Sequence, residues 1–247
     1  MSAEVLLAVA LLFALAALLY SAVGHGGASA YLAIMALAGI EPLVMRPTAL
    51  VLNILVGSIA ALRFHRAGQL ELRALAPLLL GSIPLAFLGG TVILPATTYK
   101  LLVGAVLLVA AVRLWLTAAT ADDDRPTAVP PWAAIPLGGG LGLLAGLTGT
   151  GGAIFMTPAV LLLGWASPRR AAGLSAGFVV ANSVAGLAGN FAVVGQLPPY
   201  LALWLPAVLV GALIGTELGV RRLSPVGLRR ALALVLVVAG LKLILVG

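Results

Sequence analysis

The sequence predicts an all-α polytopic membrane protein built as two inverted repeats, each a Gly-tipped broken helix hairpin plus three transmembrane helices. Three observations carry this: an apolar composition, hydrophobic runs of membrane-crossing length, and a glycine motif that occurs twice in corresponding places. Of 247 residues 62% are hydrophobic and 9% charged, with mean hydropathy +1.20. Soluble domains carry about a quarter charged residues. A chain this apolar cannot cover itself with polar surface in water, and lipid removes that requirement.

Crossing the hydrocarbon core takes about 20 apolar residues. Runs at 47–63, 74–94, 98–117, 170–194, 199–219 and 226–246 meet that length. The stretches 4–40 and 132–164 are too long for one helix. Each is interrupted by glycines, at Gly24-His25-Gly26-Gly27 and at Gly149-Thr150-Gly151-Gly152. After each break about a dozen residues remain, rising only about 18 Å as a helix and too short to span. The polar, proline-rich segment 118–131, with Asp122-Asp123-Asp124-Arg125-Pro126, reads as a cytoplasmic linker between repeats 1–117 and 132–247. The first apolar run follows Glu4 in place of a basic segment, so it is expected to be a retained span.

The two halves match in order. The glycine motifs lie about 125 residues apart, each followed by a short apolar stretch ending in glycine, at Gly39 and Gly164. Arg46-Pro47-Thr48 then pairs with the segment from Arg170 to Ser175, and Gly68-Gln69-Leu70 with Gly195-Gln196-Leu197. Interrupted segments in corresponding places of two halves point to a transporter's site.

Charge orients the repeats. If each broken stretch is a hairpin returning to its own side, each half crosses the membrane an odd number of times and the halves face opposite ways. With the 63–73 loop in the cytoplasm, only Arg46, Lys100 and Lys242 of the fourteen basic residues lie outside. Counting each broken stretch as a single crossing loses that bias, so the positive-inside rule favours hairpins. Both termini are then expected on the periplasmic side of a bacterial inner membrane. The net charge of +7 reads as topology, and no basic face interleaved with aromatics suggests nucleic acid.

Hairpins entering from opposite faces bring their tips together near the midplane. There the short helices begin, at Ala28 and Ala153, and their first amides lack intrahelical acceptors at the positive end of the helix dipole. Two such ends facing one cavity form an anion site. The expected substrate-binding residues are Gly24, His25, Gly26, Gly27, Ala28, Thr48, Asn53, Gly149, Thr150, Gly151, Gly152, Ala153, Ser175 and Asn182. Asn53 and Asn182 stand within apolar runs, where a carboxamide is costly unless it bonds across an interface or lines a path. His25 is the one titratable side chain expected near the midplane, as a neutral hydrogen-bonding group or as a contact for substrate or proton. Arg46 and Arg63 read as snorkelling anchors at the ends of one helix.

Absences narrow the chemistry. All seven acids fall at segment ends or in the linker, leaving no carboxylate cage for a cation. There is no cysteine, no HExxH and no nucleophile–base pair, so neither a cofactor, a metal nor an enzymatic role is expected. The expected partners are a small anion and the bilayer. An inverted-repeat transporter of neutral metabolites is the alternative that the polar inventory leaves open.

The sequence resembles the TauE/SafE sulfite exporter family over nearly its whole length. The resemblance rests on the two glycine motifs, Thr157-Pro158, the segment from Ser167-Pro168 through Ala172-Gly173-Leu174-Ser175, and Asn182-Ser183-Val184-Ala185-Gly186. It implies a bacterial inner-membrane exporter of sulfite, sulfonates or other small anions. The chain departs from the family pattern at Ala33, which stands opposite Pro158, and at Ser175, where a threonine is expected.

Overall fold

In the computed structural model, residues 3–116, 129–191 and 197–221 are described, together with positions 233, 234, 237, 241 and 244. They form nine helices: α1 (Ala3–Ser21), α2 (Ala28–Leu37), α3 (Pro42–Arg66), α4 (Leu72–Thr91), α5 (Ala96–Leu116), α6 (Pro131–Thr148), α7 (Ala153–Leu162), α8 (Pro168–Gly189) and α9 (Leu201–Arg221). Among the described residues there is no strand. Six of these helices, α1, α3, α4, α6, α8 and α9, are long and apolar enough to cross a membrane. Most of the expected linker, and nearly all of the run at 226–246, lie outside the described residues.

Both breaks fall where the glycines predict them. The short helices α2 and α7 are ten residues each, about 15 Å of rise. Gly27 precedes α2 with φ 99° and Gly152 precedes α7 with φ 77°. That left-handed backbone costs an L side chain roughly 1–2 kcal/mol, which glycine avoids. The start of α3 is set by Pro42 in its first turn, and α8 likewise starts at Pro168.

Helices α3 and α8 pack on each other at the centre, and α2 and α7 lie against α3 and α8 respectively. Around them α1 runs along α9, and α4 along α6. The fourth helix of the first half therefore grips the first helix of the second, while α9 does the same to α1. Both contacts run through glycine stripes: Gly138, Gly142 and Gly146 of α6 seat against Leu78, Ser82 and Ala86 of α4, and Gly211, Gly215 and Gly219 of α9 against Ala14 and Leu18 of α1 and Ala22 just after it. A methyl group at any of these glycines would strike the facing backbone. Close backbone approach of this kind supplies the packing that lipid, as apolar as leucine, does not drive. On the α1–α9 side the core continues as an aromatic cluster, with Phe13 against Tyr31 at 5.0 Å and against Trp204 at 4.9 Å between ring centres.

Candidate functional site

The two glycine tips meet in the interior, and the residue between them is Asn53. Its Oδ1 accepts from the Ala28 amide at 3.0 Å, and its Nδ2 donates to the Thr150 carbonyl at 3.3 Å. Asn53 is fully buried in the middle of α3. One carboxamide thus caps the first amide of α2 and holds the backbone of the opposite tip. Capping normally comes from the residue just before the helix; here that residue is Gly27, which has no side chain, and the cap is supplied from α3.

The expected tip residues come together. Gly26 lies against the Asn53 side chain, and Gly151 against Asn53, Val179 and Ser183. Gly27 lies under the Tyr31 ring, and Gly152 faces Phe178. Gly24 abuts the Ala172 backbone on α8, while Gly149 abuts Arg46 on α3, where an added Cβ would come within 2.7 Å of Arg46 Cγ. Each tip is thus wedged against the long helix of the other half. At the second tip the first intrahelical bonds of α7 run from Phe155 and Met156 to the Gly152 carbonyl, both at 3.1 Å. The amides of Ala153 and Ile154 precede them in the buried first turn.

His25 is buried, and its Nδ1 lies 2.8 Å from the Val23 carbonyl. A carbonyl only accepts, so Nδ1 carries the proton and Nε2 of the neutral ring is an acceptor. Thr157 Oγ1 of α7 faces that Nε2 at 3.4 Å and is in turn hydrogen-bonded to Ser175 Oγ of α8. A chain of hydroxyls therefore links the first tip to the second half. The second tip has its own network: Thr148 Oγ1 donates to the Leu144 carbonyl at 2.6 Å and pairs with Thr150 Oγ1 at 2.9 Å, and Tyr99 Oη donates to the Thr148 carbonyl at 3.0 Å.

The remaining expected residues lie on the central helix pair. Asn182 returns one bond to its own helix, Nδ2 to the Phe178 carbonyl at 2.8 Å, and its Oδ1 is buried without a partner. Thr48 Oγ1 and Ser183 Oγ are also buried and unpartnered. Polar atoms left unpaired in an interior cost of order 1–3 kcal/mol each, and two of them lie at the tips themselves: Ser183 Oγ beside Gly151 and the unpartnered Tyr31 hydroxyl beside Gly27.

Arg46 corrects an expectation. Instead of snorkelling outward it is 6% exposed. Nη1 donates to the carbonyls of Val92 at 2.8 Å and Leu147 at 3.5 Å, and Nη2 to the Gly90 carbonyl at 2.5 Å and Asn190 Oδ1 at 2.7 Å. These acceptors are at the C-terminal ends of α4, α6 and α8, where the helix dipole is negative and carbonyls lack intrahelical donors. Arg63 does sit at the surface, bonding the Leu213 carbonyl at 2.7 Å and Glu217 at 3.3 Å. Among the described residues no group of three or more histidine, aspartate or glutamate side chains could hold a metal ion.

Six membrane-length helices, two ten-residue helices that start at the glycine tips and a buried polar junction where those tips meet make up the architecture of a multi-pass membrane transporter. The family described as "Sulfite exporter TauE/SafE" matches residues 9–243, and the chain belongs to it. It is 38% identical over 238 residues to a protein of Sinorhizobium fredii (strain NBRC 101917 / NGR234) named "Probable membrane transporter protein y4hK", covering 95% of this chain and 96% of that protein. No solved structure matches the chain.

Proposed function

We propose that the protein transports small anions, with sulfite and organosulfonates as the substrate class, through a site between the two glycine tips. The observation that carries this reading is the junction on Asn53, where two helix N-termini converge beside buried hydroxyls that lack partners. Backbone amides at helix starts bind oxyanions without a fixed positive charge, so the ion is held but not trapped. The exposed positions of Glu4, Glu41, Glu71 and Glu217 support the reading, since no described carboxylate stands near the junction to repel an anion. The family's description supports sulfite as the first substrate to try.

In this reading residues 1–117 and 132–247 are inverted repeats, and transport proceeds by alternating access as one set of helices moves against the other. The exchange of partners between halves supports the inversion. Transport is outward across a bacterial inner membrane, with both termini periplasmic.

The test is flux of radiolabelled sulfite in proteoliposomes, with methanesulfonate, taurine and neutral solutes as competitors. Saturable flux, competed by the sulfonates and not by the neutral solutes, is the expected result. Flux no greater than in protein-free vesicles for sulfite and both sulfonates would sink the anion reading. Competition by neutral solutes alone would select a carrier of neutral metabolites.

A further inference from the structure

A second polar feature lies away from the junction. A cavity of about 290 Å³ is lined by Glu41, Pro42, Leu43, Arg46, Ile93, Leu94, Tyr99 and Asn190. Glu41, Leu43 and Ile93 are exposed, so they form its mouth, while Arg46, Tyr99 and Asn190 are buried and form its floor. The volume suits a small organic anion with its water and is too small for a lipid headgroup with chains.

The floor is a cation with a donor to spare. A guanidinium has five N–H groups in a planar fork. The four hydrogen bonds of Arg46 use Nη1 and Nη2, and among the described residues none falls on Nε. Its acceptors are three carbonyls and one carboxamide, and neither ion pair found among the described residues includes it. Asn190 accepts from Arg46 through Oδ1 and lines the same cavity, and its carboxamide carries two N–H donors besides. Helix C-termini offset part of the buried positive charge. A full counter-ion would offset more, and the cavity is where one fits.

We propose that this cavity is a vestibular anion station, separate from the junction, in which the Arg46 guanidinium and the Asn190 amide hold a small sulfonate or comparable monoanion. It rests on the anion reading for its purpose, since an ion resting here lies one tip away from the junction: Arg46 abuts Gly149 and bonds the Leu147 carbonyl just before it. Glu41 at the mouth acts the other way. It is the one acid of the lining, it repels anions at the rim, and removing its charge strengthens the station.

The chain has no cysteine, so a single thiol can report the local potential without any transport. Leu94→Cys places it on the cavity wall. In detergent-solubilised protein, its rates of modification by the anionic sulfonatoethyl and the cationic trimethylammonioethyl methanethiosulfonates are compared, each divided by the rate with free cysteine. The expected normalised preference for the anionic reagent is about tenfold. Glu41→Gln raises that preference several-fold, Arg46→Lys keeps it, and Arg46→Gln brings it to one or below. Methanesulfonate slows modification where Arg46 is present, and neutral dimethyl sulfone does not. A preference of one or less with Arg46 intact, or a preference unmoved by Glu41→Gln, overturns the station. Should Arg46→Gln fail to fold, the Glu41→Gln and Arg46→Lys arms and the protection experiment still decide. An anionic preference without sulfite flux leaves the station standing and removes the transport reading; flux with no preference does the reverse.

Discussion

The two glycine tips are built from nearly the same five residues, yet they rest on different partners. At the first tip, Gly26 meets the Asn53 side chain of α3; at the second, the nearest contact of Gly151 is Val179 of α8. Gly24 meets Ala172, while Gly149 meets Arg46. Helices α3 and α8 both begin at a proline, Pro42 and Pro168, and that offset sets Arg46 beside Ala172 and Asn53 beside Val179. The frame is thus repeated and the polar groups are not. Helix α3 carries the asparagine that touches both tips and the arginine that touches the second, and α8 offers valine and alanine in the same places. Backbone and glycine positions follow the repeat because both halves need the same break. The site does not, because a single carboxamide between two tips serves both.

The largest expected effect comes from erasing this difference. Asn53→Val makes α3 like α8 at that place and leaves the buried Ala28 amide without an acceptor. An unpaired buried donor costs of order 1–3 kcal/mol, so unfolding in detergent is expected to lose about 2 kcal/mol. Sulfite flux is expected to fall to background, because the tips lose the side chain that bonds them both. Val179→Asn, which adds the carboxamide on the other side, is expected to retain flux. If Asn53→Val transports as well as the parent protein, the junction is not the site.

Much of this arrangement was legible in the sequence. Membrane embedding follows from composition, since 9% charged residues is far below the quarter or so that soluble domains carry and 62% are hydrophobic. The breaks at Gly24 and Gly149 were legible because only glycine suits a left-handed backbone, and because the apolar residues after each are too few to span. Asn53 stood out because a carboxamide in an apolar run is costly. Arg46 was misread for a physical reason: an arginine near a helix end looks the same whether it snorkels outward or turns in. Only the convergence of the C-terminal ends of α4, α6 and α8 decides, and that is a long-range fact. Asn190 went unassigned for the same reason, since its partner is 144 positions away. Thr157 was visible only through the family resemblance, as nothing local marks a threonine that faces a histidine across the fold.

A second, smaller effect separates the tips by what they press against. Gly24→Ala drives a methyl group into the Ala172 backbone, which cannot yield without moving α8. Gly149→Ala meets the Arg46 Cγ at 2.7 Å and the Arg46 backbone only at 3.2 Å, against the 2.0 Å approach to the Ala172 carbonyl oxygen at Gly24. Both substitutions carry a similar penalty for a positive φ, of about 1 kcal/mol. The first adds overpacking against rigid backbone, of order 1–3 kcal/mol. Gly24→Ala is therefore expected to lower the melting temperature in detergent more than Gly149→Ala. Equal losses would mean that the two tips are held with the same stiffness, and that the asymmetry of α3 and α8 stops at the side chains.

The smallest effect tests whether the first tip depends on the second half through side chains as well as through packing. Thr157→Val removes the hydroxyl between His25 and Ser175 while keeping shape and the bond from His25 to the Val23 carbonyl. At 3.4 Å the contact to His25 is long, so its loss is worth of order 0.5–1.5 kcal/mol, a factor of roughly two to ten. If His25 orients substrate, that factor falls on KM for sulfite, because the ring keeps its place and loses the donor that steadies its Nε2. If the hydroxyl chain only fastens α7 to α8, the factor falls on thermal stability and leaves KM unchanged. Ser175→Ala, one step further from the ring, should move the same quantity in the same direction by less. A larger KM effect from Ser175→Ala than from Thr157→Val would place the important hydroxyl on α8, and would add a second polar contribution of that helix to the one Ser183 makes beside Gly151.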